Sequence, residues 1–223
     1  MCGRYSLGAT AAALAQQFGL TSSSDWTPRY NIAPTQEVLA VLASLEGEGR
    51  TGRSLRWGLI PRWAKESGIG SRLINARAET AADKPAFREA FRLRRCLVPA
   101  DAFFEWEVRD RRKQPWCIRM RDGYPFAFAG LWERWTDPGG GTVDTCAILT
   151  TAPNPLVGRF HSRMPVILAA GDYGRWLDPR SKNPEALRPL LAPFPSDRMT
   201  AYPVGSLVNN PAHDSPECLH PIG

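Results

Sequence analysis

The chain begins Met1-Cys2-Gly3-Arg4. Aminopeptidases remove an initiator methionine when the next side chain is small, so we expect Cys2 to be the first residue of the mature protein. Its α-amine would have a pKa of about 7.7 to 8.0, which leaves roughly a tenth of it neutral and nucleophilic near pH 7. Such an amine forms a Schiff base with an aldehyde, and the neighbouring thiol can then close a five-membered thiazolidine. Taken alone, however, a cysteine at position 2 is more often an inert residue.

The segment NARAET, residues 75–80, offers two polar side chains close together. In an extended segment Asn75 and Arg77 project from the same face, because side chains alternate along a strand. A helix cap followed by a solvated arginine is the structural alternative.

The segment FFEWE, residues 103–107, sets a carboxylate among aromatic side chains. Desolvation there would raise the pKa of Glu105 toward the range that is useful for general acid and base catalysis. Alternation supports a second interpretation equally well, in which Glu105 and Glu107 face water and Phe104 and Trp106 face the core.

The segment HSRMP, residues 161–165, contains one of the three histidines of the chain, beside Arg163. It lies between a predicted short helix and a predicted strand, and functional side chains often project from such junctions. A purely structural role is the commoner outcome for any one histidine.

The composition predicts a folded protein with a sizeable core. The chain has 223 residues, 43% hydrophobic and 22% charged, which indicates one domain over residues 1–223 and excludes global disorder. No apolar stretch reaches the roughly 18 to 20 residues that cross a bilayer, so we expect a cytoplasmic protein, nucleoid-associated if the source is bacterial, with no membrane contact.

The net charge and the cysteine spacing indicate which ligands the protein could bind. The net charge is +6, and arginine carries most of it because only four lysines are present. Guanidinium groups bind phosphates through two hydrogen bonds, so the excess of arginine is compatible with a nucleic-acid partner. A genomic bias toward arginine explains the composition equally well. The five cysteines include no C-x-x-C pair. Neither a disulfide framework nor a zinc site is therefore indicated, and we expect no metal and no cofactor.

The hydrophobic pattern predicts an α+β fold with a curved, mainly antiparallel β-sheet or small β-barrel core and flanking short helices. Thr10 and Gly19 would bound one helix, Pro85 would begin another, and short helices are predicted over 154–160, 171–177 and 184–191. Strands are predicted in these ranges: 37–45, 54–60, 96–108, 116–121, 126–132, 145–151, 164–169 and 200–204. Residues 126–132 are apolar on both faces, which predicts a central strand.

Six motifs stand in this order along the chain: MCGRY (1–5), YNIAPTQ (30–36), WGLIPRW (57–63), NARAET (75–80), FFEW (103–106) and HSRMP (161–165). Taken together, they closely resemble the SRAP family, the SOS-response-associated, abasic-site-processing proteins. The resemblance runs in family order from residue 2 to about residue 170. Ser162 stands where threonine is common in the family, a difference that we expect to be harmless.

The resemblance implies a protein that senses abasic sites in single-stranded DNA and crosslinks to them through a thiazolidine at Cys2, shielding the lesion in the DNA damage response. Asn75 would hold the Cys2 amine and the sugar. Glu105 would assist sugar ring opening and imine formation as acid and base, and His161 would donate a proton near the sugar oxygen and take part in reversal. We expect a monomer, with the replication machinery as a further partner.

The same resemblance assigns a DNA-binding surface. Arg77 and Arg163 would hold the flanking phosphates, with Arg4 as a weaker candidate. Pro34 and Trp63 could form a wedge or stacking surface, although a core position for Trp63 is as plausible.

Two other functions fit the residues. An N-terminal-nucleophile cysteine peptidase would use Cys2 to attack a peptide bond, at least that of Met1, and a lyase activity is a related candidate. A non-enzymatic single-strand-binding module would leave Cys2 idle. A covalent adduct that forms only when the DNA carries an aldehyde would distinguish crosslinking from the peptidase and from the binding module.

Overall fold

The computed structural model describes residues 2–21, 26–44, 49–110 and 112–222. The strands are β1 Tyr5–Leu7, β2 Arg29–Ile32, β3 Glu37–Ala43, β4 Arg50–Trp57, β5 Asn75–Arg77, β6 Arg95–Ala100, β7 Ala102–Arg109, β8 Arg112–Met120, β9 Phe126–Thr136, β10 Thr142–Thr151, β11 Met164–Pro165, β12 Ile167–Leu168 and β13 Met199–Pro203. The α-helices are α1 Ala11–Phe18, α2 Arg88–Leu93, α3 Tyr173–Leu177 and α4 Pro184–Leu187. None of the helices in these ranges is long and apolar enough to cross a membrane.

The larger sheet closes into a five-stranded barrel. Its strands follow the order β10-β4-β3-β6-β9, and β9 pairs again with β10 to complete the ring. Strands β5, β11 and β12 extend it at its margins. The pairings are antiparallel except those of β10 with β4 and with β5. This arrangement confirms the predicted α+β class with a curved, mainly antiparallel barrel core.

Strand β9 is central, as its two apolar faces predict. It pairs with β6, β10 and β12, and residues Phe126–Leu131 are all buried. On the inner side Phe128 meets Tyr5 edge to face at 5.8 Å between ring centroids, and Tyr5 meets Trp57 at 5.4 Å. These contacts attach the N-terminal strand β1 to the barrel core.

The second sheet has the order β13-β8-β7-β1-β2 and is antiparallel throughout. The prediction of one continuous strand over 96–108 is wrong, because the chain leaves the barrel at Ala100 and enters the second sheet at Ala102. Between them the Asp101 carboxylate accepts hydrogen bonds from the Ser6 hydroxyl and the Gly8 N–H. Alternation cannot reveal this break, since residues 98–100 before it and residues 102–104 after it are all apolar and buried.

Helix α1 forms as its end signals predict. The Thr10 hydroxyl accepts from the Ala13 N–H, and Gly19 ends the helix with a φ of 63° in the left-handed region. Leu14 and Phe18, four residues apart, are both fully buried.

Other boundaries differ from the predictions. Helix α2 begins at Arg88, and Pro85 lies in the turn that precedes it. The helix predicted over 154–160 is a single 3-10 turn, Val157–Arg159. The strands predicted over 37–45 and 54–60 form the antiparallel pair β3 and β4, but β4 begins earlier, at Arg50, and ends at Trp57. Residue Leu45 of the first predicted strand lies outside the described residues.

Candidate functional site

Cys2 is fully buried, and the second sheet determines its position. Strand β1 lies between β2 and β7, with Tyr5 opposite Phe103, and the Phe104 N–H donates to the Arg4 carbonyl at 3.0 Å. The residues just before β1 therefore run beside the start of β7. Met1 and its predicted removal lie outside the described residues.

Asn75 contacts Cys2 directly. It begins β5, which runs parallel to β10, and its side-chain Nδ2 donates to the Cys2 carbonyl at 2.8 Å. Its Oδ1 is buried and has no hydrogen-bond partner among the described residues. Asn75 thus holds Cys2 in place and keeps one acceptor available beside it.

Glu105 is buried on the same side of β7 as the cross-strand side chain Trp116, which lies directly opposite it. It is only 4% exposed, so the interpretation in which Glu105 faces water is wrong. Burial raises its pKa to about 7. Burial, and then the negative charge of Glu105, also raises the pKa of the Cys2 thiol. The two groups are thus close enough to interact electrostatically, and the thiol stays protonated at neutral pH.

His161 is half-buried just after the 3-10 turn Val157–Arg159. The Arg163 N–H donates to its Nδ1 at 2.9 Å. Burial is the main cause that lowers its pKa, so the ring is neutral at pH 7. Since Nδ1 is an acceptor in the neutral ring, the proton lies on Nε2 and that atom can donate.

The two arginines predicted to hold phosphates have different surroundings. Arg163 forms a bidentate ion pair with Glu79, in which its two terminal nitrogens lie 2.6 and 2.8 Å from the carboxylate oxygens. It also donates to the Thr150 carbonyl. Arg77 is exposed, and no ion pair or side-chain hydrogen bond engages it within the described part of the chain. Arg77 is therefore the guanidinium that is available to a phosphate without exchange of an existing partner.

Arg4 has internal contacts instead. Its guanidinium donates to the Asn31 Oδ1 at 2.8 Å and to the Val208 carbonyl, and it lies 5.9 Å from the centre of the Trp106 ring. Burial lowers its pKa. These contacts give Arg4 a structural role in the free protein, and its contact with DNA stays a prediction.

Trp63 is a surface residue, so the core position considered for it is wrong. It is 61% exposed, and its Nε1 makes only a long contact of 3.4 Å to the Pro85 carbonyl. Pro34 is half-buried. Stacking of DNA on either side chain stays a prediction.

Sequence reasoning missed three residues beside the site, Trp116, Phe160 and Arg159. The two rings lie 4.9 Å apart between centroids, and the Arg159 guanidinium is 5.6 Å from the Trp116 ring and 5.2 Å from the Phe160 ring. The sequence indicated only that Trp116 begins a predicted strand, 116–121. The one available signal was the adjacency of Phe160 to His161.

Side chains that commonly bind metals are not clustered in the described part of the chain. Within the described ranges no group of three or more His, Cys, Asp or Glu side chains is placed to hold one. The five cysteines are buried free thiols.

Comparison with known proteins places these features in a family. The profile of the SOS response associated peptidases (SRAP) matches residues 1–211. The abasic site processing protein YoqW of Bacillus subtilis is 43% identical over 98% of this chain and 99% of its own length. The abasic site processing protein HMCES of Xenopus tropicalis is 30% identical over 90% of this chain and 68% of its own.

A solved structure has a closely similar fold. The crystal structure of a protein from Bacteroides thetaiotaomicron covers 99% of this chain and 100% of its own, with a TM-score of 0.90 at 28% identity. The matches extend over both sheets and over every segment that contributes to the site. The chain therefore belongs to the SRAP family.

Proposed function

We propose that this protein processes abasic sites in single-stranded DNA by forming a covalent thiazolidine between its N-terminal cysteine and the lesion. Family membership and the names of the relatives support action on abasic sites. The observation that carries the proposal is the burial of Cys2, whose carbonyl accepts from the Asn75 amide and whose thiol interacts electrostatically with the Glu105 carboxylate.

The reaction has three steps. The abasic deoxyribose is mostly a closed hemiacetal, so a proton must first move from its C1′ hydroxyl to the ring oxygen to release the C1′ aldehyde. The Cys2 amine then attacks C1′, a carbon–nitrogen bond forms, and water leaves as the imine is made. Finally the Cys2 sulfur bonds to C1′ while the thiol proton moves to the nitrogen. No oxidant or reductant is consumed.

Glu105 is suited to move these protons. Its pKa of about 7 is close to the 7.7 to 8.0 or so of a free α-amine, so a proton can pass between the two groups at little cost. His161, neutral with its proton on Nε2, would donate to the sugar oxygen as the ring opens. Asn75 would orient the amine through the acceptor that is left unpaired.

The state of the thiol supports this order of steps. A cysteine peptidase needs a thiolate, and such nucleophiles have lowered pKa values. Burial raises the pKa of the Cys2 thiol instead. The first attack is therefore made by the amine, which suits an aldehyde better than a peptide bond.

Autoproteolysis remains the second candidate, because the family description is that of a peptidase. Self-removal of Met1 would be its minimal form, and slow release of DNA by a lyase route is compatible with the imine stage. We propose that the protein acts as a monomer, with Arg77 as its most accessible phosphate contact and the replication machinery as a further partner.

The test uses purified protein and a single-stranded oligonucleotide with one abasic site. We expect an intact mass that lacks Met1 and a heat-stable adduct on a denaturing gel. Cys2→Ala should form none, whereas Cys218→Ala, which removes another buried thiol, should react as wild type. A tetrahydrofuran analogue, which has no aldehyde, should bind without crosslinking. An undiminished adduct with Cys2→Ala would exclude the proposed function.

A further inference from the structure

Arg159, Trp116 and Phe160 form a cluster, called here the Arg159 cluster, that the proposed chemistry does not use. The rings pack on each other at 4.9 Å with an interplanar angle of 33°, and the Arg159 guanidinium lies over both at 5.2 to 5.6 Å. These distances are in the range of cation–π contacts. The rings are half-buried and Arg159 is exposed, so the guanidinium is the outer member of the cluster.

The Arg159 cluster borders the proposed reaction centre on two sides. Trp116 lies directly opposite Glu105 in the β7–β8 pairing, and Phe160 directly precedes His161 in the chain. Side chains of directly opposed residues project from the same side of a sheet. A nucleotide next to the lesion would therefore lie within reach of this cluster.

The Arg159 guanidinium lacks the partner that Arg163 has. It makes no side-chain hydrogen bond or ion pair within the described residues, whereas Arg163 is held by Glu79. Arg159 is exposed and packs on the two rings, so its guanidinium plane is available to a ligand.

We infer that the Arg159 cluster binds the nucleotide adjacent to the abasic residue, with its nucleobase stacked on the Arg159 guanidinium. An abasic residue has no base of its own, so a site built around it can gain stacking only from a neighbour. Stacking on aromatic and guanidinium planes accepts any base, which suits lesions that arise in every sequence context. This inference depends on the proposed function.

The test compares three single-stranded oligonucleotides with the same abasic site. One has adenine on both sides of the lesion, and the others have a baseless tetrahydrofuran spacer on its 5′ or its 3′ side. The measurement is the DNA concentration that gives half the maximal crosslinking rate, together with that maximal rate. For wild type we expect this concentration to rise about tenfold for one of the two spacers.

The variants decide where this preference arises. Arg159→Ala should bind the all-adenine strand about tenfold more weakly and should no longer distinguish it from the spacer strand, with the maximal rate retained. Trp116→Phe, which keeps a ring but weakens the cation–π contact that positions Arg159, should lose part of the preference. Arg180→Ala and Tyr124→Ala are matched controls, an exposed arginine and an exposed aromatic outside the cluster, and should behave as wild type.

Three results would overturn the inference. Wild type could bind all three strands alike, or Arg159→Ala could weaken all of them equally, which would identify a phosphate contact. The variants could also lower only the maximal rate on every strand, which would make the cluster a support for His161. Absence of any wild-type crosslink would instead contradict the proposed function itself, so the two failures are distinguishable.

Discussion

Replacement of Glu105 by glutamine tests the proposed proton transfer most directly. Proton transfer from an α-ammonium of pKa about 7.8 to an ordinary glutamate of pKa about 4.3 is uphill by roughly 5 kcal/mol. Burial raises the Glu105 pKa to about 7. The same transfer then costs only about 1 kcal/mol. Burial thus lowers the cost of this proton transfer by about 4 kcal/mol. Only part of this difference applies in the transition state, so we expect Glu105→Gln to slow crosslinking about a hundredfold at pH 7.5.

The pH profile should change as well. The productive state shares one proton between the Cys2 amine and Glu105, so the wild-type rate should fall below about pH 7 and again above about pH 8. Glutamine cannot exchange a proton. In Glu105→Gln the rate should therefore rise with the neutral amine through about pH 8 and should show no alkaline decline.

The assay is single-turnover crosslinking of an abasic oligonucleotide, quenched at timed points and resolved on a denaturing gel between pH 5.5 and 9.5. Glu133→Gln is the matched control, because Glu133 is also 4% exposed but pairs with Arg94 at 2.8 Å in the barrel. It should keep the wild-type profile. A Glu105→Gln protein that crosslinks at the wild-type rate, or that keeps both limbs of the profile, would refute the proton-transfer role.

Three further predictions follow from the same structure. Burial raises the pKa of Glu105 in the folded protein above its value in the unfolded chain, so the native protein keeps a proton that the unfolded chain releases. The free energy of unfolding should therefore fall as the pH rises from about 4.5 to 7. Thermal melts of Glu105→Gln should show a fall that is smaller by up to about 3 kcal/mol. Arg77→Ala should lower the slope of log K against log salt for undamaged single strands by about 0.7, as measured by salt titration. Arg4→Ala, which loses the hydrogen bond to Asn31, should lower the melting temperature in thermal unfolding.

The sequence predicts the barrel better than it predicts the surroundings of the site residues. A strand that is apolar on both faces must be covered on both faces and is therefore central, which is why β9 was predictable. Burial of Glu105 depends on the opposite strand, because alternation gives the two faces of β7 without saying that both are covered. Likewise the pairing of Arg163 with Glu79 joins residues that are 84 positions apart. Such long-range contacts leave no local pattern.

One physical cause, the burial of both Cys2 and Glu105, accounts for both halves of the proposed chemistry. It raises the Glu105 pKa to about 7, close to that of an α-amine, and it keeps the Cys2 thiol protonated. A solvated site would reverse both effects, with a carboxylate too acidic to accept the amine proton and a thiol nearer to ionisation. The amine therefore attacks first and the thiol second, because the thiol can add only after the imine has formed and its proton can move to the nitrogen. Burial thus favours ring closure on an aldehyde over thiolate chemistry on a peptide bond.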